Sequence, residues 1–185
     1  FITFTANPAW PEIKDNLWPA DHAVNRPDLV ARVFEQKLKA LLHELLEKNV
    51  LGVVAAYTWT IEFQKRGMPN AHILLVMRGQ DRPGTAADVD RVVTAELPDK
   101  NDPAQRELYD TVITSLLHGP CGEIGKPCCD EYGVCTKGFP HDFYKNTEIV
   151  AEKHPTYRRR DDGRSHMKSG VKLDNRWVVP YNAYL

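Results

Sequence analysis

The chain has 185 residues, 42% hydrophobic and 26% charged, with a formal net charge of -1. That length supports one core of ordinary size, or one domain with an appendage. The near-neutral balance excludes a polycation, and no apolar run approaches the roughly 18 residues of a bilayer-crossing helix. The start at Phe1-Ile2-Thr3-Phe4-Thr5, with neither Met nor signal peptide, reads as a piece cut from a longer protein.

In chain order, the β-branched and aromatic residues 1–5 predict a strand, ended by Asn7-Pro8. Residues 11–27 read as mixed loop. From Pro27, the apolar residues Leu29, Val30, Val33, Phe34, Leu38, Leu41, Leu42, Leu45 and Leu46 recur at helical spacing and form one core stripe. Residues 53–64 are rich in β-formers and their second half alternates, with Trp59, Ile61 and Phe63 on one face and Thr58, Thr60, Glu62 and Gln64 on the other. A turn over 65–69 and a second strand over 70–77 complete a β-hairpin. Helices are expected over 85–97 and 103–117, and a last strand over 177–180. This order predicts an α+β fold, an antiparallel sheet with flanking helices. The expected organisation is a core over 1–117, a Cys/His zinc segment over 118–145, and a basic segment over 146–185 that returns to the core.

Two regions carry chemistry beyond the core pattern. Cys121, Cys128, Cys129 and Cys135 fall within fifteen residues and nowhere else in the chain. Such clustering points to a metal in a reducing compartment rather than a disulfide scaffold. Cys121, Cys128 and Cys135 are evenly spaced behind His118, a set suited to a closed tetrahedral Zn²⁺ site, with His141 as a competing fourth ligand. Residues 152–176 hold eight Lys/Arg against four Asp/Glu. Arg158, Arg159, Arg160, Arg164, Lys168, Lys172 and Arg176 could track a phosphate backbone while Tyr157 or Trp177 stacks on bases.

On the hairpin, a symmetric five-residue turn would set Gln64 opposite Asn70 and Glu62 opposite His72, with Cβ atoms about 5.5 Å apart. Carboxylate, amide oxygen and imidazole together suit a divalent ion such as Mg²⁺ or Mn²⁺, on a surface backed by Ile61, Phe63, Ala71, Ile73 and Leu75.

The words around this hairpin, Ile61-Glu62-Phe63-Gln64-Lys65-Arg66-Gly67-Met68-Pro69-Asn70-Ala71-His72-Ile73-Leu74-Leu75, resemble the Helitron helicase-like family. So do residues 1–5 with Asn7-Pro8 and Trp10-Pro11-Glu12-Ile13, and Arg26-Pro27-Asp28-Leu29. Further along the chain, Ala95-Glu96-Leu97-Pro98, His118-Gly119-Pro120-Cys121-Gly122, Lys137-Gly138-Phe139-Pro140 and residues 174–182 follow in order. The resemblance implies an HUH replication-initiator fold and a nuclear, metal-dependent endonuclease acting on single-stranded DNA. In that chemistry a tyrosine hydroxyl attacks the scissile phosphate and remains phosphotyrosyl-linked. A C-terminal helicase normally follows in such proteins, and no phosphate-binding Gly-x-x-x-x-Gly-Lys-Ser/Thr loop occurs here.

By the resemblance His72 is a metal ligand, either Glu62 or Gln64 supplies the third, and His118, Cys121, Cys128 and Cys135 match the family while Cys129 replaces other residues. Asn70 stands where the family has the first histidine of its His-hydrophobic-His signature, which predicts weaker metal binding and impaired cleavage. The nucleophilic tyrosines of the family lie on a helix beyond the segment matched by Tyr181 and Tyr184. Those two are therefore read as packing residues, and the chain as inactive in cleavage. The alternative is a non-catalytic, zinc-braced module that binds single-stranded DNA.

Overall fold

The alternation in the first five residues forms a strand, β1 (Ile2–Thr5). It pairs antiparallel with β3 (Pro69–Met77), which pairs antiparallel on its other side with β2 (Val54–Phe63), giving a sheet of order β1-β3-β2. The computed structural model describes residues 1–63, 67–122, 127–150 and 154–185. They group into two units, Phe1–Arg82 and Pro83–Leu185. The architecture is mixed α/β with antiparallel sheets. Among the described residues no helix is long and apolar enough to cross a membrane.

In the first unit a short helix, α1 (Pro11–Lys14), and a 3-10 turn over Ala23–Asn25 occupy the stretch expected to be loop. Proline opens the long helix α2 (Pro27–Leu46), where its missing N–H and fixed φ suit the first turn. The α2 stripe buries Val30, Val33, Phe34, Leu38 and Leu45 in one cluster with Ile13, Ala71 and Ile73. Phe4 stacks on Phe34 at 5.3 Å and on Trp10 at 5.8 Å between ring centroids. Each large side chain sealed in this way contributes about 2 kcal/mol of transfer free energy. Together they fix one face of the sheet as the core face.

The hairpin forms, but in a different register from the symmetric turn. Phe63 pairs with Pro69, Glu62 with Asn70 and Thr60 with His72. Pro69 belongs to β3 rather than to the turn, so the pairing slips by two residues. An even slip keeps every side chain on its expected face. Glu62, Asn70 and His72 therefore still share one face, while Gln64 lies outside the described residues. The apolar backing differs too. Ala71 and Ile73 on the central strand are sealed, but Tyr57, Trp59, Ile61 and Phe63 on the edge strand β2 remain exposed.

In the second unit, α3 (Ala86–Val92) begins with a capping box between Thr85 and Asp88. It ends five residues short of the expected Leu97. Val93 is extended, and Thr94 instead exchanges two backbone hydrogen bonds with Tyr181, at 2.8 and 2.9 Å. A 3-10 turn over Pro103–Gln105 leads into α4 (Arg106–Ser115). Two further strands, β4 (Ser165–Lys168) and β5 (Val171–Asp174), form a hairpin inside the basic segment, at positions where no strand was expected. The expected final strand is absent. Asn175–Trp177 is a 3-10 turn, after which the chain makes single bridges from Val178 to Leu117 and from Tyr181 to Thr94.

Leu97, Val112, Leu117, Leu173, Val178 and Tyr181 form the core of this unit. Helices α3 and α4 thus group with the cysteine segment and the C-terminal residues, whereas the sequence placed them with the first sheet. Tyr181 packs as expected, its hydroxyl donating to the Glu96 carbonyl at 3.0 Å, and burial pushes its pKa up to about 12. Tyr184 is 66% exposed.

Candidate metal centres

The polar face of the first sheet carries one candidate centre. Thr3 and Thr5 of β1 lie opposite His72 and Asn70 of β3, and Thr60 and Glu62 of β2 lie opposite the same two residues from the other side. The alternation of each strand places all six side chains on this face. The Glu62 carboxylate Oε2 lies 3.3 Å from His72 Nε2, on side chains 69% and 29% exposed. Thr3 Oγ1 lies 3.5 Å from the other ring nitrogen, Nδ1, and the Phe1 ring stacks on the imidazole at 5.7 Å. Asn70 is buried, and its Oδ1 accepts a hydrogen bond from the Thr5 hydroxyl. The sequence reading missed Thr3 and Thr5, although their i, i+2 spacing on a strand was the available signal.

The second unit carries the other centre. The ligand atoms of His118, Cys121, Cys128 and Cys135 all lie within 4.8 Å of one another. A zinc–sulfur distance of about 2.3 Å places tetrahedral ligands roughly 3.8 Å apart, so this set could hold a metal such as zinc. These are the four residues singled out by spacing. His141, the competing ligand, packs edge-on against Phe139 at 4.5 Å and lies outside the group.

Local structure explains the convergence. The His118 N–H donates to the Trp177 carbonyl at 2.8 Å, and its ring stacks on Phe139 at 4.2 Å. Gly119 has φ +96°, and a Cβ there would lie 2.8 Å from the Trp177 ring, so only glycine lets the chain turn from His118 towards Cys121. A bridge between Cys129 and Cys135 closes a tight loop whose Asp130 carboxylate accepts from the Tyr132 and Val134 N–H groups. The Cys129 thiol accepts from the Gly122 N–H at 3.3 Å.

Metal binding at this cluster would displace thiol protons. Burial, with the neighbouring Cys135 and Cys128, pushes the Cys121 thiol up to about 12, and burial also raises Cys128. Cys135 is shifted downward: burial opposes its ionisation, but backbone hydrogen bonds from Phe139 and Lys137 outweigh that cost. Burial and the charges of Lys168 and Lys137 lower the His118 pKa, which favours the neutral ring that ligates.

The basic stretch is largely engaged within its own unit. Arg159, 3% exposed, donates to the carbonyls of Asn175 and Val178 at 2.7 Å each and of Ala95 at 3.4 Å. Arg160 grips Glu96 with two side-chain bonds of 2.9 and 2.6 Å, and Arg158 pairs with Asp90 at 3.0 Å. Arg164 pairs with Asp162, Arg176 pairs with Asp174 and covers the Phe143 ring, and Lys168 donates to the Leu117 carbonyl. Lys172 is exposed on β5. Tyr157 is half-buried, and that burial raises its pKa.

The fold is thus a mixed α/β protein whose Cys₃His cluster could hold a metal ion and whose first sheet carries an open Glu/His face. Residues 1–75 match the family model described as the Helitron helicase-like domain at N-terminus. No curated protein matches the chain.

Proposed function

We propose that the chain is part of a Helitron-type transposase, in which an HUH-type sheet engages single-stranded DNA in the nucleus and does not itself cleave it. The observation that carries this reading is the pairing of Glu62 and His72 on the open face of the central hairpin, inside the span that matches the family. The donor set fits a hard divalent ion: a carboxylate and an imidazole 3.3 Å apart, with room for water. A cation held there supplies Lewis-acid polarisation of a phosphate oxygen. Glu62 and His72 hold it, and the hydroxyl of Thr3 steadies the imidazole through Nδ1.

Two features favour binding over cleavage. Asn70 offers a weaker donor than the histidine of the family, and its oxygen is already engaged by Thr5. Tyr57, the only tyrosine in Phe1–Arg82, pairs with Leu75 on the opposite face of the sheet from His72. Zinc at His118, Cys121, Cys128 and Cys135 braces the second unit. The surface cations Arg160, Arg164, Lys172 and Arg176 contact the DNA backbone, whereas Arg159 is committed to the core. A helicase in the same polypeptide would act on the strand held here.

The test is a Mn²⁺ titration of the zinc-loaded chain beside Asn70→His and His72→Ala. Wild type is expected to bind weakly, Asn70→His at least tenfold tighter, and His72→Ala not at all. Wild-type Mn²⁺ affinity in His72→Ala would place the site elsewhere. Binding of a labelled oligonucleotide should weaken with salt at a log–log slope of about -0.7 per phosphate contact, and a flat salt dependence would exclude this DNA interface.

A further inference from the structure

We propose that Thr5 sets the cation chemistry of the hairpin centre. Its hydroxyl holds the Asn70 amide oxygen out of reach of the ion, leaving Glu62 and His72 as the two protein ligands of a largely hydrated divalent cation. This rests on the metal reading above and deepens it.

Asn70 sits on the central strand with Thr5 directly opposite on β1 and Glu62 directly opposite on β2. A planar amide presents its oxygen to one side and its NH₂ group to the other. Because Thr5 Oγ1 donates to Asn70 Oδ1, the oxygen is turned towards β1. The NH₂ group, with its partial positive charge, is thereby turned away from Thr5, an orientation that repels a cation approaching from the Glu62 side.

Access points the same way. Asn70 is 8% exposed, whereas the Glu62 side chain is 69% exposed. Glu62 Oε2 and His72 Nε2 lie 3.3 Å apart, close to the roughly 3.0 Å between adjacent ligands of an octahedral ion with bonds of about 2.1 Å. Two protein ligands leave four octahedral positions to water or phosphate oxygen. That arrangement suits Mg²⁺ or Mn²⁺, which retain water, better than Zn²⁺, which seeks three or four nitrogen and sulfur donors. Thr5 acts through Asn70 and touches no ligand, so it is a positioning residue.

The experiment uses the full 185-residue chain with zinc already loaded and Mn²⁺ as the probe, with affinity read by titration and Mn²⁺-bound water by proton relaxation. Thr5→Val keeps the shape and strand preference of the side chain while removing the hydroxyl. It should tighten Mn²⁺ roughly threefold to tenfold, the range set by one net hydrogen bond, and remove about one bound water as Asn70 enters the shell. Thr5→Ser restores a hydroxyl and should restore wild-type affinity, which a change in folding alone would not do. Asn70→Ala should leave wild-type affinity unchanged but cancel the gain in the Thr5→Val background.

If Asn70→Ala weakens the wild type, Asn70 is a ligand and the proposal falls. If Thr5→Val matches the wild type while His72→Ala abolishes binding, the metal site stands and the role of Thr5 falls. If His72→Ala retains affinity, or if no variant binds Mn²⁺, the metal reading fails and takes the proposal with it.

Discussion

At the scale of single residues, Glu96 organises the charges of the second unit. It is 5% exposed and lies within reach of Arg160 at 2.6 Å and of Arg158 and Arg164 at 3.7 Å. Burial pushes its pKa up, but the hydrogen bonds from Arg160 and the charges of Arg160 and Arg158 outweigh that, and the net shift is downward from 4.5. A depressed carboxyl pKa means the unfolded chain takes up the proton first. The stabilisation is therefore complete above about pH 4.5 and is lost as pH falls through the native value. Glu96→Gln should cost about 3 kcal/mol at pH 7, the scale for removing one partner of a buried ion pair. In denaturant melts the gap to wild type should narrow between pH 5 and pH 3. A gap of constant size would show that Glu96 acts by packing rather than by charge.

Elements show how far sequence patterns reach. The α2 stripe, the two long strands of the hairpin and the shared face of Glu62 and His72 were all legible from periodicity, which reports which side of an element is buried. Register was not, because alternation has a period of two and is blind to a slip of two residues. The extent of α3 was misread because Thr94 finds a better backbone partner in Tyr181, a contact 87 positions away that no local propensity contains. The β4–β5 hairpin was overlooked although its signal was present. Ser169 and Gly170 both have positive φ, at 51° and 79°, as a two-residue hairpin turn demands. Glycine adopts that conformation without strain; serine does so at a cost. Ser169→Asn should therefore stabilise the protein by about 0.5 kcal/mol in thermal melts, since asparagine tolerates the left-handed region. A lower melting temperature would mean that the serine hydroxyl matters more than the backbone.

Over the whole molecule, the cysteine cluster was legible because four thiols within fifteen residues carry their meaning in spacing alone. The basic stretch was not, because sequence counts charges and cannot pair them. Arg158, Arg160, Arg164 and Arg176 of 152–176 pair with Asp90, Glu96, Asp162 and Asp174, and Asp90 and Glu96 come from outside the stretch. Part of what looks like a nucleic-acid stripe is thus the framework of the second unit. The division into two units escaped sequence reading for a related reason: α3 and α4 carry ordinary amphipathic patterns, which say that a helix is covered but not by what.

Arg159 and its neighbours also govern how the native protein meets a protease. Residues 158–160 form three consecutive arginines, the densest trypsin target in the chain. Yet each of their backbone N–H groups is bonded, to the Thr147 hydroxyl, the Tyr144 carbonyl and the Glu96 carboxylate in turn. Trypsin must draw an unpaired, extended segment into its cleft, which here requires the surrounding structure to open first. Digestion of the native chain should therefore leave 158–160 until late, while exposed sites outside helices and strands, such as Lys100 and Lys145, are cut early. The rate of cleavage at the triplet then tracks the population of the opened form and serves as a clock for unfolding of the second unit.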